Sequence, residues 1–237
     1  MPTIYNATHG DITLANMPTA RMRPFNDVGG DQVLDFSLDI PALRPDFKQI
    51  LLSLPDEKTA FDIEPSSSPY LDYRKNPDTA VSIRQGITDF VLEHRPGLDF
   101  GFYTLPGAAR RTVIDPAENA VSEIEREVSY IPVGAGMPSL FIPGYWKAKA
   151  HEESYFPEWR AQLDMQVAMS TAIHGKLPHV FVWHNAKGWG SVSYSIMMRI
   201  LKYCRVRDLP VVIWSRRNNP YPIPWWILLA YWQHSIL

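Results

Sequence analysis

The chain has 237 residues, enough for one sizeable core, and its 46% hydrophobic and 20% charged residues are typical of a folded globular protein. A net charge of −2 gives no electrostatic reason to expect nucleic acid or an anionic membrane surface as a partner. The single cysteine, Cys204, excludes an internal disulfide framework, and its helical spacing in IMMRILKYC predicts a core thiol. The longest apolar stretch, Ile227–Trp232, is far shorter than the ~20 residues of a membrane span, so we expect none.

The first 31 residues carry few structural signals. MPTIYNATHGD has neither the basic start nor the apolar run of a signal peptide, so a cytoplasmic location, or a place in a larger assembly, is the default expectation. Weak strand patterns occur near Thr3–Tyr5 and Ile12–Ala15, and a better one at Gln32–Asp39. We therefore expect one domain over residues 1–237, with residues 1–31 as an irregular N-terminal segment.

From residue 32 onward, strand-like runs alternate with longer amphipathic segments. The strand candidates are QVLDFSLD, TAFDIE, LDFGFYTL, PSLFIPGY, PHVFVWH and LPVVIWS. The middle ones recur roughly every 40 residues, a period that favours βα units around a parallel sheet. Helices are predicted after Asn76-Pro77, after the capping pattern Asp115–Glu118, and over 156–173 and 191–206.

These elements predict an α/β fold, a (β/α)8 TIM-barrel-like domain. An ordinary βα unit needs about 30 residues, so the first 31 residues cannot hold two of them. We therefore expect the barrel to be incomplete or degenerate at its N-terminal side.

Two acids end the first confident strand, in TAFDIEPSSSP. Side chains alternate along a strand, so Asp62 and Glu64 share a face, with Cβ atoms roughly 6–7 Å apart. At that distance two carboxyl groups interact and titrate as a pair. The alternative interpretation is an exposed strand end with two solvated acids.

Aromatic residues end the other strands. In a parallel barrel the C-terminal strand ends meet at one mouth, where the functional residues lie. Aromatic rings stack on sugar rings, and a carboxyl pair can perform acid–base chemistry at a glycosidic bond. Each ring alone could be an ordinary core residue, but their recurrence at the same strand end predicts a carbohydrate-binding site. The predicted substrate-binding residues are Tyr103, Trp146, Trp183, His184, Trp214 and Arg216.

Five short motifs, in order over residues 59–218, resemble those of hyaluronidase-like glycoside hydrolases (family 56). FDIEP resembles the D-x-E strand of that family, and GFYTLP, SLFIPGY, VFVWH and PVVIWS are similar to its later strands. FDIEP is also similar, more loosely, to the D-x-E strand of chitinase-like and family 25 lysozyme-like barrels. The family's acids are followed by E-W-R-P, whereas Pro65–Ser68 stands here, so the substrate loop differs.

The resemblance implies roles for five of these residues. Glu64 matches the general acid, Asp62 the residue that steers the substrate's acetamido group, and Tyr145 a tyrosine that contacts this group. Trp214 matches a tryptophan that lines the site, and Tyr103 would be a pocket residue. The implied activity is polysaccharide degradation, the retaining hydrolysis of an N-acetylhexosamine polymer in which the substrate's own amide attacks the anomeric carbon.

Two other interpretations are open. His151 and His184 could join the acids in a metal site, but no H-x-H or H-E-x-x-H spacing supports one, so we expect no metal and no cofactor. The chain could instead be a non-catalytic barrel that binds glycans or serves as a structural part of a larger assembly. Its Trp-rich tail, PYPIPWWILLAYWQHSIL, carries more rings than one buried helix face needs, which favours a protein–protein contact there.

Overall fold

A computed structural model describes residues 4–7, 20–24, 34–35, 42–43, 49, 51–54, 58–62, 77–103, 139–186, 190–214 and 224–236. Its strands are β1 (Ile4–Ala7), β2 (Ala20–Pro24), β3 (Leu34–Asp35), β4 (Ala42–Leu43), β5 (Lys58–Asp62), β6 (Phe100–Tyr103), β7 (Ser139–Pro143), β8 (His179–Trp183), β9 (Asn185–Ala186), β10 (Gly190–Ser191) and β11 (Val211–Trp214). Its helices are α1 (Pro77–His94), α2 (Phe156–His174), α3 (Tyr194–Val206) and α4 (Trp225–Ile236), with a 3₁₀ turn at Glu153–Tyr155.

Seven strands form one sheet, in the order β1-β11-β8-β7-β6-β5-β2. The pairs β1/β11, β11/β8, β5/β6 and β6/β7 are parallel. The predicted α/β fold, with a parallel sheet in which β5 to β8 are neighbours in chain order, is therefore confirmed. Among the described strands β1 and β2 end this sheet and no pairing joins them, so closure into a barrel stays a prediction.

The N-terminal third of the chain differs in detail from the prediction. The weak pattern at Thr3–Tyr5 corresponds to β1, while β2 was not predicted. The predicted parallel strand Gln32–Asp39 is wrong in its placement, because Leu34–Asp35 pairs antiparallel with Ala42–Leu43 in a separate two-stranded sheet. The patterns at Ile12–Ala15 and Asp115–Glu118 lie outside the described residues. The single-domain organisation also stays a prediction.

The chain divides into two compact units. The first contains residues 1–20, 142–168 and 177–237, and the second contains residues 21–141 and 169–176. Each unit has its own buried apolar residues.

The first unit is built on β8 and β11, whose residues form continuous apolar runs. Val180, Phe181, Val182, Val212 and Ile213 are all fully buried. Such runs are typical of parallel strands that are covered on both faces, whereas a half-exposed strand would alternate apolar and polar residues. The continuous burial along β8 and β11 therefore agrees with their observed parallel pairing.

Two features of the α3 sequence favour a helix, an N-terminal cap and a buried apolar face. The Ser193 side chain caps it by accepting a hydrogen bond from the backbone N–H of Ile196 at 3.3 Å. Apolar residues spaced four apart, Ile196, Ile200 and Cys204, are fully buried, which confirms Cys204 as a core thiol. Burial raises the pKa of the Cys204 thiol to about 12. Its neighbour α4 packs on it, and the Tyr194 hydroxyl donates to the Gln233 side chain.

The second unit has an aromatic core. The rings of Phe61, Phe100 and Phe102 contact one another with centroids 6.0 to 6.2 Å apart, two of the three pairs edge to face. Ile87 and Val91, one turn apart on α1, are fully buried in the same unit.

Among the described residues, no helix is both long enough and apolar enough to cross a membrane.

Candidate functional site

The first of the two predicted acids, Asp62, is the last residue of β5. It is the register partner of Tyr103, which ends β6. The two predicted site residues thus occupy neighbouring backbone positions at the C-terminal ends of two parallel strands, within the second unit. Glu64 and Arg216 lie outside the described residues.

Two of the predicted aromatic residues of the first unit are also register partners at strand ends. Trp183 ends β8 and is the register partner of Trp214, which ends β11. Tyr145, two residues after β7, places its ring against Trp183 edge to face, with centroids 6.0 Å apart and planes at 71°. Both residues are half-buried. The structure therefore brings Tyr145 and Trp183 into direct contact, with Trp214 on the adjacent strand.

Gly144 fixes the backbone immediately before Tyr145. Its N–H donates to the carbonyl of Phe181 at 2.8 Å, which continues the pairing toward β8. A Cβ atom at Gly144 would lie 2.5 Å from Cγ1 of Val180 and 3.2 Å from the Phe181 carbonyl oxygen. A side chain at this position would therefore displace the Val180 side chain or the adjoining backbone, which favours glycine.

Trp146 behaves differently from the prediction that it binds substrate. It is fully buried, its indole N–H donates to the carbonyl of Lys149 at 3.0 Å, and its ring packs edge to face on Tyr155. Stacking on a sugar needs an accessible ring face, which Trp146 lacks in this structure. Burial, with the nearby Glu158 carboxylate, raises the pKa of Tyr155 to about 12, although a hydrogen bond from Gln162 opposes the shift.

His184 follows β8 and is fully buried, so its side chain is not open to a polysaccharide in this structure. Its carbonyl accepts a hydrogen bond from the N–H of Val192 at 2.8 Å. Between the two, β9 and β10 pair as an antiparallel hairpin, Asn185 opposite Ser191. The His184 backbone therefore joins the end of β8 to the paired strands β9 and β10. In the described part of the chain, no three His, Cys, Asp or Glu side chains come together as metal ligands.

Two residues of this region were missed by the sequence interpretation, namely Gly144 and Trp159. The Trp159 indole N–H, from α2, donates to the Gly144 carbonyl at 3.1 Å. The glycine was visible within SLFIPGY, and the close approach that requires it depends on how β7 and β8 pack. Trp159 has the spacing of an ordinary buried helix residue, so no sequence signal distinguishes it.

No protein family model matches the chain, and no curated protein sequence is significantly similar to it. Among solved structures, bee venom hyaluronidase matches with a TM-score of 0.45 and 10% identity, over 76% of this chain and 67% of that chain. An endoglucanase matches with a TM-score of 0.47 and 8% identity, over 91% of this chain and 85% of that chain. Likeness at this level assigns neither a fold nor an activity to this chain.

Proposed function

We propose that the chain is a glycoside hydrolase that cleaves an N-acetylhexosamine-containing polysaccharide, on a (β/α)8 barrel that is incomplete at its N-terminal side. The observation that carries the proposal is the register of the parallel strands. It aligns Asp62 with Tyr103 and Trp183 with Trp214, each at a C-terminal strand end. In parallel α/β folds these ends carry the catalytic and binding residues.

The mechanism divides the work between protein and substrate. The Glu64 carboxylic acid donates its proton to the leaving glycosidic oxygen while the substrate's N-acetyl oxygen attacks the anomeric carbon and the glycosidic bond breaks. Asp62 orients the amide and stabilises the positive charge that develops on it. Water then attacks the anomeric carbon, gives a proton to the Glu64 carboxylate and restores the N-acetyl group with retained configuration.

The negative charge of Asp62 also affects how readily the Glu64 carboxyl ionises. A like-charged neighbour disfavours ionisation of a carboxyl group, which would help Glu64 to hold the proton that a general acid needs. Tyr145 contacts the acetamido group, and Tyr103, Trp183, Trp214 and Arg216 bind the flanking sugars.

The proposed function is tested by comparing two kinds of polymer. The wild-type chain is incubated with hyaluronan or chitin oligosaccharides and, in parallel, with soluble glucose polymers that have no N-acetyl group. New reducing ends should appear with the first kind and not with the second, because the attacking group is the substrate's own amide. Equal cleavage of the glucose polymers would contradict the mechanism, and cleavage of neither kind would contradict the activity.

A non-catalytic barrel in a larger assembly is the second candidate. One observation favours it, since Trp225 and Trp226 at the start of α4 are 71% and 37% exposed. Large exposed rings commonly mark a contact surface. Glycan binding without the release of reducing ends, in the same assay, would support this candidate against hydrolysis.

A further inference from the structure

We propose that Trp159 is a positioning residue for Tyr145, and that its indole N–H sets where the Tyr145 ring meets a glycan. The glycan part of this inference rests on the proposed function, whereas the positioning of the ring does not. Trp159 lies on the first turn of α2 and is 3% exposed. Its Nε1 donates to the Gly144 carbonyl oxygen at 3.1 Å, and that carbonyl belongs to the peptide group that joins Gly144 to Tyr145.

The preceding peptide group is also held. The Gly144 N–H donates to the Phe181 carbonyl at 2.8 Å, and the Gly144 Cα lies against Val180. The peptide groups on both sides of Gly144 are therefore bonded, one to β8 and one to α2. Because a backbone fixed at both peptides has little freedom to rotate, Tyr145 extends from a defined position.

The Trp159 ring is itself oriented by its neighbours. It stacks on Phe156 with centroids 5.4 Å apart and planes at 28°, and meets Tyr203 edge to face at 5.9 Å. Indole has one hydrogen-bond donor, and this packing directs that donor at Gly144. A buried indole without a partner would be costly, so the bond and the packing support each other.

Tyr145 connects the bonded backbone at Gly144 to the candidate site. Its ring packs edge to face on Trp183 with centroids 6.0 Å apart, and both residues are half-buried. A rotation of the Gly144–Tyr145 peptide would separate the two rings. Loss of the Trp159 donor should therefore change the Tyr145 environment without altering any residue that contacts a glycan.

The test substitutes Trp159→Phe, which keeps an aromatic ring and removes the N–H. The matched control is Tyr203→Phe, which removes a hydroxyl that bonds Asp164 in the same aromatic cluster and leaves the Trp159–Gly144 bond intact. The proteins are labelled with fluorotyrosine, and the Tyr145 fluorine resonance is assigned as the one lost in Tyr145→Phe. This resonance should shift or broaden in Trp159→Phe and stay unchanged in Tyr203→Phe.

An unchanged resonance in Trp159→Phe would overturn the proposal. An equal change in both variants would overturn it too, because the cause would then be the general packing of the cluster. If Trp159→Phe does not fold, indole hydrogen exchange in the wild-type protein decides the matter. The Trp159 N–H should exchange far more slowly than an exposed indole, and rapid exchange in the folded protein would refute the bond.

The glycan part uses equilibrium titration with an N-acetylhexosamine oligosaccharide. Trp159→Phe should raise the dissociation constant several-fold, and Tyr203→Phe should leave it near the wild-type value. Equal affinity of wild type and Trp159→Phe would contradict a role in glycan binding. If the wild type binds no such oligosaccharide, the proposed function fails, while the fluorine resonance still decides whether Trp159 positions Tyr145.

Discussion

At Gly144 the backbone lies so close to β8 that a side chain has little room there. A Cβ would lie 2.5 Å from Cγ1 of Val180, a distance at which the Val180 side chain or the adjoining backbone has to shift. We expect Gly144→Ala to lower the free energy of unfolding by roughly 1–3 kcal/mol, the usual cost of overpacking a core. Denaturant unfolding measures this difference.

Gly97 provides the matched control for that substitution. A Cβ at Gly97 would meet nothing within 4 Å, and the residue is exposed in the turn after α1. Gly97→Ala should leave stability unchanged or raise it by roughly 0.4–1 kcal/mol through the unfolded state. Equal destabilisation by both substitutions would show that the contact with Val180 is not the cause.

Cys204 makes stability depend on pH. Burial raises its thiol pKa from 9.0 to about 12, so in the alkaline range the unfolded chain releases this proton before the folded chain does. Stability from this group is therefore fully present below pH 9.0 and is lost as the pH rises toward about 12. We expect the free energy of unfolding to fall above pH 9.0, with a shallower fall in Cys204→Ala. Identical pH profiles for the two proteins would contradict this assignment.

At the scale of elements, Arg95 joins two segments of the second unit. Its Nη1 donates to the carbonyls of Leu51, Leu52 and Leu54 at 3.2, 3.0 and 2.8 Å. These carbonyls lie at the end of a helical turn, where backbone acceptors have no partner within the helix. Arg95, the residue that follows α1, is therefore bonded to the segment that precedes β5.

We expect Arg95→Ala to lower the free energy of unfolding by roughly 1–3 kcal/mol, because the part-buried bonds to the Leu51 and Leu54 carbonyls lose their donor. Arg207→Ala is the control, since Arg207 makes a half-exposed ion pair with Asp164 at 3.2 Å. Such surface pairs contribute about 0–1 kcal/mol. If the two substitutions cost the same in thermal or denaturant unfolding, the three carbonyl bonds do not stabilise the unit as described.

The elements that could be predicted were those with a long periodic pattern or a strong local signal. The apolar runs of β8 and β11 and the amphipathic pattern of α3 each contain enough residues to identify them. The two-residue strands at Leu34–Asp35 and Ala42–Leu43 could not be placed, since their pairing depends on contacts that a short run does not encode.

At the scale of the whole molecule, the alignment of predicted residues at strand ends followed from the sequence. Parallel pairing brings the C-terminal ends of β5 and β6 together, so Asp62 and Tyr103 could be expected side by side. The bond from Trp159 to Gly144 could not be expected, because it joins residues 15 apart through the packing of a helix on a loop. The burial of Trp146 and His184 was missed for the same reason, since a strand-end position does not reveal what covers a side chain.

The central claim, that Glu64 is the general acid of a glycosidase, is tested most directly by one comparison of rates. Glu64→Gln keeps the shape of the side chain but has no acidic proton to donate. The initial rate of reducing-end release from an N-acetylhexosamine polymer should fall by roughly 10²–10⁴-fold in Glu64→Gln, the usual contribution of general acid catalysis. Thermal unfolding should show the same melting temperature for both proteins. Equal rates of release by the wild-type protein and Glu64→Gln would contradict the account.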